Sequence, residues 1–237
     1  MKSIHLTAAI VLSVFALSLH AQEGDWEKRL NDRMEAAVKA NGNGTNPTLR
    51  AELLEMGKQD QDARFKNTKE ATSSHTTDAH ELSELDAKLT AQLKEIVASD
   101  GWPTFHLVGF EASQSAMLIL IHSPDHAWQR SLLPSLETLA NEGKIDGSQV
   151  ALVVDKELVA AGKPQRYGTQ FKFIDGEAMM VAVEDPANLD KRRDKEMLPP
   201  MAAYKQQLAS MYHIKVSNMI IAPQAAATPT NTHTAKH

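Results

Sequence analysis

The chain has 237 residues, 42% of them hydrophobic, 23% charged and 5% aromatic, with 30 acidic against 25 basic side chains and no cysteine. This is too apolar for a wholly disordered chain and lacks the repeated apolar runs of a polytopic membrane protein, so one folded domain with ragged ends is expected. The missing cysteines exclude disulfide scaffolds, iron–sulfur ligation and thiol catalysis, and a formal charge of −5 offers no cationic footprint for nucleic acid.

The chain starts Met-Lys, continues as an apolar run from Ile4 to Leu19, and then reaches the small residue Ala21. A basic start, a short apolar core and a small residue predict a secretory signal peptide over residues 1–21, too short to serve comfortably as a membrane span. Cleavage after Ala21 is preferred over the alternative at Ala16-Leu17-Ser18. With no cysteine for lipid attachment, the mature protein is expected in the periplasm or outside the cell, with no stable membrane anchor after cleavage. Loss of the leader removes Lys2 and no acid, leaving 24 basic and 30 acidic side chains and a charge of −6.

Residues 22–46 predict a short helix around Trp26 to Val38 followed by a flexible linker, Asn41-Gly42-Asn43-Gly44-Thr45-Asn46. A disordered tail is expected over residues 214–237, whose last part is rich in Ala, Thr and Pro. Between them, residues 47–213 predict a single, mainly α domain. Asn46 and Pro47 cap and start its first helix, where Leu49, Leu53 and Met56 form an apolar stripe. The next position on that stripe is Asp60, with Arg64 one turn on. A carboxylate and a guanidinium thus stand where the core should continue, unless the helix end simply turns to solvent with a surface pair.

A polar loop is expected over 67–77 and a second helix from Asp78 to Ser99, on the stripe Leu82, Leu85, Leu89, Leu93 and Ile96. Gly101 stops it, and Trp102-Pro103-Thr104 leads into a short extended stretch from Phe105 to Phe110. Ala112 to Ile121 is apolar on all sides, which predicts a central buried helix closed by His122. Ser123-Pro124 restarts a helix with Trp128, Leu132, Leu136 and Leu139 on its core face, Pro134 kinking it and Gly143 ending it. Residues Ser148 to Gly162 predict a further buried helix, with a strand at Val150 to Val154 as the competing assignment. A loop over 164–170 precedes one small β-hairpin at about 170–183 with Asp175-Gly176 as its turn. Pro186 opens a basic helix, Leu198-Pro199-Pro200 breaks it, and Met201 to Tyr212 is a closing helix.

His122 is the leading chemical residue, because it ends a buried helix and faces the start of the next, where the local dipole favours a neutral base or an anionic partner. Its plainer role would be bonding backbone groups at the junction. His122, Asp125 and His126 straddle the Ser123-Pro124 restart rather than sharing a face, so no metal site is expected. No phosphate loop, dinucleotide fingerprint, nucleophile elbow or kinase signature occurs, and no cofactor is expected. The loop Gln165-Arg166-Tyr167-Gly168-Thr169-Gln170 gathers a phenol, a hydroxyl and amides that could bind a ligand or close the loop on the helices.

Several of these stretches together resemble a bacterial domain family of unknown function, DUF6624. They are Glu52-Leu53-Leu54 with Asp60-Gln61 and Arg64; Gly101-Trp102-Pro103-Thr104; Leu107-Val108-Gly109; His122 with Gln129; Asp155; Gly162-Lys163-Pro164-Gln165 with Tyr167-Gly168-Thr169-Gln170; and Glu184-Asp185-Pro186 with Arg192-Arg193 and Leu198-Pro199. The family pattern has Gln before its motif His, where this chain has Ile121, and Arg after its motif Asp, where this chain has Lys156. The resemblance implies a domain but no activity. It also implies that Asp60, Arg64, Trp102, His122, Gln129, Tyr167 and Gln170 belong to shared motifs, which favours one polar pocket.

Three functions follow as expectations. The first is a pocket for an unidentified small-molecule or peptide ligand, with Asp60, Arg64, Trp102, Gln129 and Gln170 as ligand-binding residues. The second is a hydrolase-like enzyme with His122 as general acid or base, Asp155 or Asp60 orienting it, and Tyr167 or Arg64 stabilising charge. The third is a structural or interaction protein of the cell envelope.

Overall fold

The computed structural model describes residues 25–70 and 77–223, so the expected leader and the end of the expected tail lie outside the described residues. At the centre stands helix α5 (Phe110–His122), whose residues from Ala116 to Ile121 are all buried. Three helices pack around it: α2 (Pro47–Glu70), α3 (Thr77–Asp100) and α7 (Gly147–Ala160). A helix apolar on every side has to be enclosed, because each large aliphatic side chain taken from water contributes about 1.5–3 kcal/mol. The expected stripes supply the enclosure: Leu49, Leu53 and Met56 from α2, Leu89, Leu93 and Ile96 from α3, and Val150, Val153 and Val154 from α7.

The remaining helices are α1 (Asp25–Asn41), α4 (Phe105–Val108), α6 (His126–Asn141), α8 (Leu189–Lys195) and α9 (Met201–Tyr212). The α7 region is helical, which decides against the competing strand. Helix α6 starts two residues later than expected, with Asp125 rather than Ser123 as its cap: the Asp125 carboxylate accepts from Trp128 N at 2.9 Å. Helix α2 continues to Glu70, into the stretch expected to be loop.

Phe105 to Val108, expected to be extended, is one helical turn. The Thr104 hydroxyl accepts from Leu107 N, and Phe105 N donates to Lys144 O at 2.9 Å. Residues 41–46, expected to be a flexible linker, are pinned to that turn: Thr45 N donates to His106 O and Asn46 N to Leu107 O. Gly44, at φ +77°, sits so close that a Cβ there would stand 2.6 Å from Gly109 N and from Leu107 O. The glycine that suggested flexibility is present for a close approach of two backbones.

The sheet has three strands rather than two. Strands β1 (Phe171–Ile174) and β2 (Glu177–Val181) form the expected antiparallel hairpin, with Phe171 opposite Met180. Strand β3 (Lys215–Ile221) then lies parallel to β2, with a register irregularity between Ala178 and Met180. It falls inside the stretch assigned from sequence to the tail. The connection through α8 and α9 has the length that a parallel neighbour demands, and Val216, Ile220 and Ile221 suit the pleat.

Candidate functional site

The α2 stripe runs Leu49, Leu53, Met56 and then Asp60, so the helix pushes a carboxylate into the same buried layer as its leucines. Asp60 is 1% exposed. His122 ends α5 directly opposite, and its Nδ1 lies 2.8 Å from Asp60 Oδ1. Arg64, one turn on, donates from Nε at 3.2 Å and from Nη2 at 3.1 Å to Asp60 Oδ1, and Gln61 Nε2 donates to Asp60 Oδ2 at 2.8 Å. Arg64 Nη2 also donates to Asp86 Oδ1 of α3 at 2.6 Å.

Burial alone would raise the Asp60 carboxyl, but the hydrogen bonds and charges of His122 and Arg64 outweigh it and hold its pKa below the ordinary carboxylate value. An ionised carboxylate only accepts hydrogen bonds, so the proton in the Asp60–His122 bond sits on Nδ1. Nε2 is then the atom left for chemistry, and no protein group among the described residues bonds it. Asp86 goes the other way: burial pushes it up, and Arg64 only partly restores it.

These groups border a small cavity of about 180 Å³ lined by Arg64, Asp86, Ile121, His122, Leu152, Val153, Lys156 and Gln170. Lys156 projects from α7 and donates to Ile121 O at 3.2 Å, capping a carbonyl at the end of α5. Burial lowers its pKa, with Glu157 opposing weakly. The cavity is thus ringed by a guanidinium, an amine, one carboxylate, one imidazole and one amide, over an apolar wall from α5 and α7.

Of the residues expected to form one pocket, Arg64, His122 and Gln170 line this cavity and Asp60 stands behind it, bonded to His122 and Arg64, while Trp102, Gln129, Asp155 and Tyr167 do not line it. Gln129 is fully buried and donates to Leu120 O at 2.5 Å, so it secures the end of α5. Trp102 lies in the core, its indole N–H without an acceptor among the described residues.

Asp155 does not orient His122, because both its oxygens are occupied elsewhere. It accepts from the backbone N–H groups of Arg166 at 2.6 Å, Tyr167 at 3.0 Å and Thr169 at 2.9 Å, and from the Thr169 hydroxyl at 2.9 Å. Burial nonetheless pushes its carboxyl above the ordinary value. Tyr167 is held in the core, and its phenol faces Arg166, Glu137 and Glu196 rather than the imidazole. Arg193, fully buried, donates to Tyr167 O and Pro199 O and lies 4.7 Å from the Tyr204 ring centre, its pKa lowered by burial to about 10. The Arg192-Arg193 motif is therefore scaffold for the 165–170 loop.

Asp86 and Lys156 were missed as site residues. Asp86 had a signal, since it stands four residues after Leu82 and three before Leu89, inside an otherwise apolar stripe. Lys156 had one too, a charged residue directly after the buried Val153-Val154-Asp155. Among the described residues no group of three His, Asp or Glu is placed to hold a metal ion. No described helix is long and apolar enough to cross a membrane. A larger groove of about 970 Å³ lies between α1, the α6–α7 turn and α8, bordered by Arg33, Asp194, Lys191 and Glu196.

Fold and site together define a small, mainly helical domain with a buried Asp–His–Arg–Asp cluster where three helices meet. Residues 47–217 match the DUF6624 model, described as a family of unknown function, and the chain belongs to that family. No curated protein and no solved structure matches it.

Proposed function

We propose that this domain is an acid–base site for a small polar molecule, with His122 Nε2 as the atom that takes and returns the proton. The observation that carries this reading is the 2.8 Å bond from Nδ1 of His122, which lines the cavity, to the buried, ionised Asp60 behind it. A carboxylate behind the imidazole fixes its tautomer and stabilises the cation formed when Nε2 accepts a proton. Arg64 keeps Asp60 ionised, and Asp86 holds Arg64 in place. Gln170 and Lys156 offer donors to the ligand's oxygens. A volume of about 180 Å³ suits a few heavy atoms, so we narrow the ligand to a small molecule rather than a peptide. The apolar leader supports a periplasmic or secreted setting for this chemistry.

The test is a titration of the mature protein with glycolate, acetate and glycerol, followed through the imidazole ¹⁵N resonances of His122. The reading expects at least one probe to shift Nε2 saturably, with the other changes confined to residues lining the cavity. It is overturned if all three leave His122 unmoved while His122→Ala loses stability in urea, since the residue would then serve the fold alone.

A further inference from the structure

Lys156 is the cavity's least explained group. Its neighbours in the wall are Leu152 and Val153, and its one hydrogen bond among the described residues goes to a neutral carbonyl, Ile121 O. The other cation, Arg64, is engaged by two carboxylates, whereas Lys156 has none within salt-bridge distance among the described residues. The adjacent Glu157 is taken by Arg130 at 2.9 Å and His126 at 3.2 Å. An amine held against an apolar wall, with Asp86 across the same cavity outside salt-bridge distance and Glu157 already paired, is kept more readily as a neutral nucleophile than as a salt-bridge partner. The residue that follows Ile121 is His122, so the amine and the proton carrier border one small space.

We infer that Lys156 condenses with a small aldehyde or ketone entering this cavity, making carbonyl compounds the substrate class of the site. The inference rests on the acid–base reading above. The Nζ lone pair adds to the carbonyl carbon, forming the C–N bond as the C=O π bond opens. Nζ loses two protons in all, and the oxygen gains two and leaves as water, so a C=N bond replaces C=O with no oxidant or reductant. His122 Nε2 carries the proton to the departing oxygen. Burial that lowers the Lys156 pKa increases the fraction of free amine at neutral pH. An arginine at this position could bind an anion but could not form the imine.

The experiment exposes the mature protein to acetaldehyde with cyanoborohydride near neutral pH and follows N-ethylation of each lysine by peptide mass spectrometry. Lys58 is the internal reference, being exposed and carrying a pKa raised by Asp62. Lys156 is expected to be labelled at least about tenfold faster than Lys58, and His122→Asn to slow Lys156 by about tenfold or more while leaving Lys58 unchanged. Labelling of Lys156 no faster than Lys58 overturns the inference. The two readings fail separately: equal labelling with His122 still responding to glycolate removes the imine alone, whereas a silent His122 removes the site beneath it.

Discussion

Asp60 and Asp155 are both almost wholly removed from solvent, yet they differ in nearly everything else. Asp155 is bound by backbone N–H groups and a hydroxyl of one loop, and burial dominates, raising its carboxyl. Asp60 is bound by an imidazole and a guanidinium, and they win over burial, lowering it. Donors fixed in one loop make a carboxylate part of the scaffold, whereas an imidazole that also lines a cavity is what the proposed proton transfer needs.

Substitutions separate the two regions. Asp155→Ala leaves three buried backbone N–H groups without their acceptor and is expected to cost about 3–5 kcal/mol in urea unfolding, the largest loss of the series. Gly44→Ala forces a Cβ against the backbone of Leu107 and Gly109 at positive φ, for an expected loss of about 2 kcal/mol. A loss under about 0.5 kcal/mol would show that residues 41–46 are a linker after all. Asp60→Asn keeps an acceptor for only some of its partners, and the expected cost is about 1–2 kcal/mol, with the response of His122 to glycolate abolished.

Acid titration gives the contrast a sign. The lowered Asp60 carboxyl contributes stability that is fully present above the unfolded value, near 4, and is lost as pH falls through the folded value. The raised Asp155 carboxyl does the opposite, costing stability as pH rises from the unfolded to the folded value. Asp60→Asn should flatten the fall of the urea midpoint below about pH 4, and Asp155→Asn should steepen its climb above about pH 4. The same slope change from both would erase the distinction. The smallest effect is expected of Lys156→Met, which replaces a poorly solvated amine by an apolar chain of similar length and changes stability by about 1 kcal/mol or less at neutral pH. Because the Lys156 pKa is lowered, the wild type gains stability as pH rises between its folded value and the model-peptide value near 10.4, and the variant should lack that gain.

Much of this architecture is legible in the sequence because it is local. The stripe Leu49, Leu53, Met56, the all-apolar α5 and the Asp-Gly turn each follow from spacing alone, and Asp60 and Arg64 stood out by interrupting a stripe. The partner of His122 was open between Asp60 and Asp155, since Asp60 lies 62 residues away in the chain and only packing of α2 against α5 brings the two together. Asp86 interrupts the stripe of Leu82 and Leu89 in the same way, but its partner Arg64 lies on another helix. Strand β3 was hidden by its distance from the strand it joins, and the Gly44 contact by a composition that also fits a loose linker. Asp155 and Tyr167 carry the chemistry of catalytic residues, and only their partners show that the loop uses them.

The most direct measurement is the tautomer of His122, read from the long-range ¹H–¹⁵N spectrum of the protein at neutral pH. A proton on Nδ1, donated to Asp60, is expected, with Nε2 the nitrogen that responds to added ligand. A neutral imidazole protonated at Nε2 and bare at Nδ1 would contradict it.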